Sequence, residues 1–261
     1  MTSSPLQYCK IERDGHLLTI TINRPEVMNA LHPPACLELE KVFDDFTADP
    51  ELWVAILTGA GDRAFSAGND LKFQAAHGKI ARAKTGFAGL TSRFDLSKPV
   101  IAAVNGIAMG GGFEIALACD LIIASETAVF ALPEPRVGMA ALAGGLHRLP
   151  RQIGLKRAMG MILTGRRVSA SEGERLGFVN EVVAPHELMQ SARRWANMVL
   201  ECAPLSIRAS KDVVMQGLRE ADLQAAMASP PASVALLYGS EDYVEGPRAF
   251  SEKRTPRWLG K

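Results

Sequence analysis

The chain has 261 residues, 48% of them hydrophobic and 22% charged, enough for a sizeable core in one large domain or in a domain with an appended subdomain. Its 29 basic residues against 28 acidic ones leave a formal charge of +1, which gives no reason to expect nucleic acid as a partner. Cys9, Cys36, Cys119 and Cys202 are widely spaced and form no CxxC pair, which argues against a disulfide framework or zinc site and for free core thiols.

The first residues, MTSSPLQYCKIERDG, show neither an apolar signal segment nor a transit pattern. No apolar run approaches the roughly 18–20 residues of a membrane span, so a soluble, cytoplasmic protein without membrane contact is expected. In chain order, Leu17 to Ile22 alternates with threonines after Asp14-Gly15 and reads as a strand leaving a hairpin. Beyond Pro33-Pro34, Leu39, Val42, Phe43 and Phe46 recur at the spacing of an amphipathic helix. Trp53 to Leu57 is a continuous apolar run, as in a buried strand. The pattern repeats: a strand over Val100 to Val104, a helix opened by Gly110 to Gly112 and running to Ala118, a strand over Leu121 to Ala124 and a short one ending at Phe130.

This alternation predicts an α/β architecture up to about residue 150. Further on the pattern is mainly helical, with a stripe at Leu188, Ala192, Trp195 and Val199 and another helix over Pro204 to Met215. A last helix is expected to start at Pro247, and Phe178 to Val183 is the only strand expected here. These apolar helices need a partner surface.

Two glycine-containing segments follow expected strands: Ala64-Phe65-Ser66-Ala67-Gly68-Asn69-Asp70 and Asn105-Gly106 through Gly110-Gly111-Gly112-Phe113-Glu114. Three glycines at a helix start let a ligand approach the backbone, and the first amides of a helix are free and lie at its positive end. Such amides suit an oxyanion. Glu114, three residues after Gly111, falls on the same face. The alternative is that the glycines only permit tight packing. A dinucleotide fingerprint is excluded because Ile115 stands where its third glycine should, and no phosphate-loop Gly-Lys-Ser/Thr follows.

The chain resembles the enoyl-CoA hydratase/isomerase, or crotonase, superfamily over nearly its whole length. Asn23-Arg24-Pro25 with Met28-Asn29-Ala30-Leu31, Ser66 to Asp70, Asn105 to Glu114, Phe130 to Glu134, Ala143-Gly144-Gly145, Leu163 to Arg166, Gly177 to Asn180 and the tail from Glu245 to Arg254 occur in that family's order. The resemblance implies a spiral of ββα turns over residues 1–200 carrying an acyl-CoA site, and a helical region over 201–261 that assembles homotrimers or dimers of trimers. It implies an enoyl-CoA hydratase without a separate cofactor, coenzyme A being part of the substrate, and without a metal. By position, the backbone amides of Asn69 and Gly111 form the oxyanion hole, Glu114 acts as base toward water and Glu134 as acid toward the α-carbon. Helix-start amides are expected to keep Glu114 ionised, and burial to keep its partner protonated. Backbone at Ala67 and Leu71 would receive adenine, Lys72 and Arg63 would lie near phosphate, and Phe250 and Lys253 would reach CoA, commonly from a neighbouring subunit.

Glu26 replaces a basic residue common in relatives, and Ala141-Leu142 a proline-glycine, which points to Leu142 and the stretch from Phe73 to Phe94 as determinants of the acyl group. Gly86 to Thr91 and Ser240 to Pro247 resemble the carnitinyl-CoA dehydratase subgroup, a rival that hydrates crotonobetainyl-CoA. Two readings of other classes are a hydrolase using Ser66 and His147, which lacks a GxSxG elbow, and a non-catalytic RNA-binding relative, which lacks a basic stripe. His16, His32, His77 and His186 lack metal-ligand spacing and suit surface or capping roles, and His147 a structural one.

Overall fold

A computed structural model describes residues 5–77 and 83–261. Two sheets and the helices around them form the fold. The larger sheet has the order β1(Cys9–Asp14), β2(Leu17–Ile22), β3(Val54–Gly59), β5(Val100–Val104), β7(Leu121–Ser125), β10(Glu181–Val183). The first pair is an antiparallel hairpin, and every later neighbour is parallel. The smaller sheet runs β4(Ala64–Ser66), β6(Ile107–Met109), β8(Val129–Ala131), β9(Val168–Ser169).

The chain therefore visits the two sheets alternately. From β3 it passes to β4 and α2(Leu71–His77), and from β5 to β6 and α3(Gly111–Ala118). From β7 it passes to β8, a 3-10 turn over Glu134–Val137, then α4(Gly145–Ile153) and α5(Leu155–Thr164). Each circuit is one ββα turn of a spiral, as the resemblance implies. Parallel strands need crossovers: α1 makes the one from β2 to β3, and the later ones pass through the second sheet. All five residues of β5 are buried, so the strand is apolar throughout rather than alternating.

The helix α1(Pro33–Ala48) buries Leu39, Val42, Phe43 and Phe46, and His32 caps it by accepting from Ala35 N–H (3.3 Å). Phe113 of α3 packs with Phe130 and Phe178, ring centroids 5.1–5.2 Å apart, which fixes α3 from behind. The helices α6(Ala170–Leu176), α7(Leu188–Leu200), α8(Pro204–Gly217), α9(Leu223–Ala228), α10(Ala232–Tyr238) and α11(Glu241–Ser251) complete the chain. Leu188, Ala192 and Ala196 of α7 pack on the larger sheet.

Three expectations are corrected. The last helix begins at Glu241, not Pro247: Ser240 Oγ accepts from Tyr243 N–H (3.1 Å), and this cap with two acidic first-turn residues starts the helix early and leaves Pro247 inside. The strand expected from Phe178 starts only at Glu181, because the N–H groups of Phe178 and Val179 donate to Gly173 O (3.1 and 3.4 Å) at the end of α6. Cys202 is exposed, whereas the other three cysteines are free core thiols as expected. Among the described residues no helix is long and apolar enough to cross a membrane. Of the stretch from Phe73 to Phe94, residues 78–82 lie outside the described ones.

Candidate active site

The loop after β4 and the start of α3 meet almost without side chains between them. A methyl group at Gly68 would lie 2.5 Å from Met109 O and 2.8 Å from Gly111 N, and one at Gly112 would overlap Ser66 O. Gly68 also has φ +87°, in the left-handed region that favours glycine. This contact is braced from the segment between β2 and α1. Asn29, fully buried, donates from Nδ2 to Ala60 O (3.0 Å) and Ala64 O (2.7 Å), and Ser66 Oγ donates to Asn29 O (2.8 Å). Leu31 N–H donates to Gly68 O (2.7 Å), and Arg24 pairs with Asp70 (3.1 Å). Among the described residues, the backbone N–H groups of Asn69 and Gly111 have no hydrogen-bond partner. Two free donors thus stand on adjoining loops, one at a helix start.

Glu114 lies one turn into α3 and is 3% exposed. Its Oε1 accepts from Gly145 N–H at 2.9 Å, so the first turn of α4 holds it rather than its own helix start. Glu134 opens the 3-10 turn after β8 and is 8% exposed, not a surface residue. Its Oε1 would lie 2.8 Å from a methyl group at Gly110, and its Oε2 is buried without a hydrogen-bond partner. The two carboxyls come from residues twenty apart; that of Glu134 lies against Gly110, and its charge acts on Glu114.

Burial pushes the Glu114 carboxyl up to about 7, with the Glu134 charge adding to it; the Gly145 and Ala143 N–H groups and Arg148 oppose the rise. Burial also raises Glu134. The expectation that helix-start amides keep Glu114 ionised is corrected: desolvation outweighs them. A carboxyl whose native pKa exceeds its unfolded value holds its proton more tightly when folded. Its favourable contribution is complete below the unfolded value of 4.5 and is lost as pH rises through about 7. Glu114→Gln is therefore expected to be more stable than wild type by on the order of 2–3 kcal/mol above neutral pH, with the gain vanishing at acid pH. Urea unfolding of both proteins across that range checks it.

The other site residues divide. Arg63, Leu71 and Lys72 expose their side chains on the rim formed by the loop after β3 and by α2. Ala67 is half-buried and its N–H donates to Met28 O (2.9 Å), so any ligand contact there falls to its carbonyl. Leu142 is 80% exposed in the turn between the Glu134 segment and α4. Phe250, 88% exposed, and Lys253 lie at the end of α11, whose tail packs against Trp53 and Pro204 at the opposite end of β3 from the site. No contact joins them to the glutamates among the described residues. Ser66 is fully buried with its hydroxyl engaged, and His147 is exposed on α4, so they form no dyad.

Of two further site neighbours, Arg148 escaped sequence reasoning and Phe87 was named only within the stretches Gly86 to Thr91 and Phe73 to Phe94. The Phe87 ring lies against Gly111, its Cε1 2.5 Å from where a methyl group there would be. Arg148 of α4 donates to Thr91 O (2.8 Å) beside it. Neither has a local signal, because both act across long sequence separations.

The family profile described as enoyl-CoA hydratase/isomerase matches residues 12–261. The chain belongs to the enoyl-CoA hydratase/isomerase family. A carnitinyl-CoA dehydratase of Salmonella typhimurium is 46% identical over 258 residues, 96% of this chain and 98% of that protein. Among solved structures, an enoyl-CoA hydratase from Mycobacterium tuberculosis H37Rv superposes with a TM-score of 0.91 at 37% identity, covering 97% of this chain and 99% of that one. An enoyl-CoA hydratase from Bacillus anthracis gives 0.89 at 35% identity, covering 98% and 100%. The expected crotonase fold and a hydratase or dehydratase of the hydro-lyase class are thereby borne out.

Proposed function

We propose that the chain catalyses reversible addition of water to the double bond of a 2-enoyl-CoA, giving the 3-hydroxyacyl-CoA. The observation that carries this reading is a pair of buried carboxyls, one of them against Gly110, beside the free N–H groups of Asn69 and Gly111. Asn69 and Gly111 N–H would bind the thioester oxygen and stabilise the enolate that forms there. Glu114, in which the Gly145 N–H and Arg148 oppose the rise caused by burial, takes a proton from water in its ionised form as the water oxygen bonds to the β-carbon. Glu134, with an unpartnered buried oxygen, suits the protonated form and delivers its proton to the α-carbon. No cofactor or metal enters the scheme.

The CoA body would lie over the rim, with adenine at Ala67 and Leu71 and phosphate near Lys72 and Arg63. Phe250 and Lys253 would reach CoA from a neighbouring subunit, which suits their exposure and their distance from the site within one chain. Leu218, Leu223, Met227 and Leu236 are at least 65% exposed on the C-terminal helices, which supports a homotrimer or dimer of trimers built through residues 201–261.

A second reading concerns the acyl group. Crotonobetainyl-CoA is itself a 2-enoyl-CoA carrying a trimethylammonium group, and the carnitinyl-CoA dehydratases at 46% identity favour it. Hydration followed at the enoyl-thioester absorbance, with crotonyl-CoA and crotonobetainyl-CoA side by side, tests both. Turnover of crotonyl-CoA is expected. Preference for the betainyl thioester by an order of magnitude or more would select the second reading, and inertness toward both would overturn the proposal.

A further inference from the structure

Arg148 is half-buried in α4, and among the described residues it has no carboxylate within ion-pair distance. A guanidinium taken out of water without a counter-ion is costly, so its place needs a reason. Its Nη2 donates to Thr91 O at 2.8 Å, and its guanidinium lies over the Phe94 ring at 5.8 Å. Its Nη1 fills the space beside Gly144, where a methyl group would collide with it, and Gly144 has φ +107°. The next residue, Gly145, gives its N–H to Glu114 Oε1, and a methyl group at Gly145 would be 3.0 Å from Glu114 Cγ. At the other end of the bridge, Phe87 N–H donates to Thr91 Oγ1 (2.8 Å), and the Phe87 ring lies on Gly111. One side chain thus joins the turn that holds Glu114 to the segment that covers the free N–H of Gly111.

We propose that Arg148 is a positioning residue that clamps the Gly144–Gly145 turn to the Phe87–Thr91 segment, and so sets the placement of the Glu114 carboxylate beside Gly111. The proposal rests on Glu114 being one of the reacting carboxyls. The same side chain acts electrostatically. The titratable and charged groups around it are Glu114 of α3, Cys119 at the end of that helix, Glu134 across the carboxyl pair, and Arg219, which shares the Phe94 ring. The Arg148 charge favours ionised Glu114 and opposes the effect of burial there.

The test uses the full-length enzyme with glutamate carrying a carbon label in its side-chain carboxyl, the Glu114 signal being assigned by its absence in Glu114→Gln. In Arg148→Met the Glu114 titration midpoint is expected to rise by about one pH unit, and the acid limb of hydration to move with it. The maximal rate constant should fall with little change in KM for the acyl-CoA. Arg148→Lys, which keeps the charge on a non-planar head, should restore the midpoint and part of the rate. Should Arg148→Met not fold, Arg148→Gln carries the same test, since it keeps a donor for Thr91 O without the charge. A midpoint unchanged in the folded neutral variant, with hydration still lost in Glu114→Gln, would overturn the proposal. Failure of the underlying reading shows separately, as hydration surviving in Glu114→Gln.

Discussion

Glu114→Gln and Glu134→Gln are each expected to lose about 10²–10⁴-fold in hydration rate, the range supplied by one positioned acid or base, while remaining folded. Each glutamate is buried by contacts its amide can copy. A Gln at 114 still accepts from Gly145 N–H, and a Gln at 134 still fits against Gly110. What neither amide can do is exchange a proton. The double variant should lose little beyond the worse single one, because water addition needs both groups in one event and such residues act as a unit. The measurement is the initial rate of loss of enoyl-thioester absorbance with each variant, beside its thermal unfolding curve. A variant that is stable but retains near-normal turnover in both single substitutions would contradict the paired roles.

The second large effect belongs to a residue with no side chain at all. Gly112→Ala is expected to destabilise the protein by about 3 kcal/mol or more and to cut hydration by about 10²-fold or more in whatever folds. The added methyl group would overlap the Ser66 carbonyl oxygen, with Ser66 Cβ 3.1 Å away, and both neighbours are backbone or rigidly braced. Relief requires the β4 loop to move away from α3, and that separates the Asn69 and Gly111 N–H groups meant to act on one oxygen. Gly160→Ala is the control. It lies in α5 with nothing within 4 Å of the added carbon, so the exchange should be neutral or stabilising by about 0.5–1 kcal/mol. Urea unfolding and rate measurements on the two variants separate crowding at the site from loss of a glycine in general.

Much of the framework was legible before any coordinates. The apolar spacing of Leu39, Val42, Phe43 and Phe46 marks a helix face, and the unbroken run at Val100–Val104 marks a doubly covered strand. These are short-range patterns, and burial enforces them. The errors lie where two local rules competed. At α11, proline at a favoured first position lost to a serine cap seven residues earlier. At Phe178, strand-like composition lost to backbone N–H groups already committed to Gly173 O.

The site was legible to a different degree at each residue. Glu114 carried its own argument, since a carboxyl one turn past a glycine-rich helix start can be placed from helix geometry alone. Its proton affinity could not be placed, because that depends on burial and on Gly145, thirty-one residues away. Glu134 was identified by resemblance, and its approach to Gly110 exists only once β6 and β8 pair. Phe87 and Arg148 had no periodicity or spacing to betray them. Their roles arise where a loop after α2 and the start of α4 close over α3, which is a property of the packed chain.

The most direct measurement of the central claim is turnover of crotonyl-CoA in water enriched in the heavy oxygen isotope, with the products weighed by mass spectrometry. Wild-type enzyme is expected to yield 3-hydroxyacyl-CoA carrying one heavy oxygen and an intact thioester, and the Glu114→Gln, Glu134→Gln double variant to yield it at least about 10²-fold more slowly. Free CoA with a labelled carboxylic acid, an isomerised enoyl-CoA without label, or labelled product from the double variant at near the wild-type rate would contradict hydration by the paired glutamates.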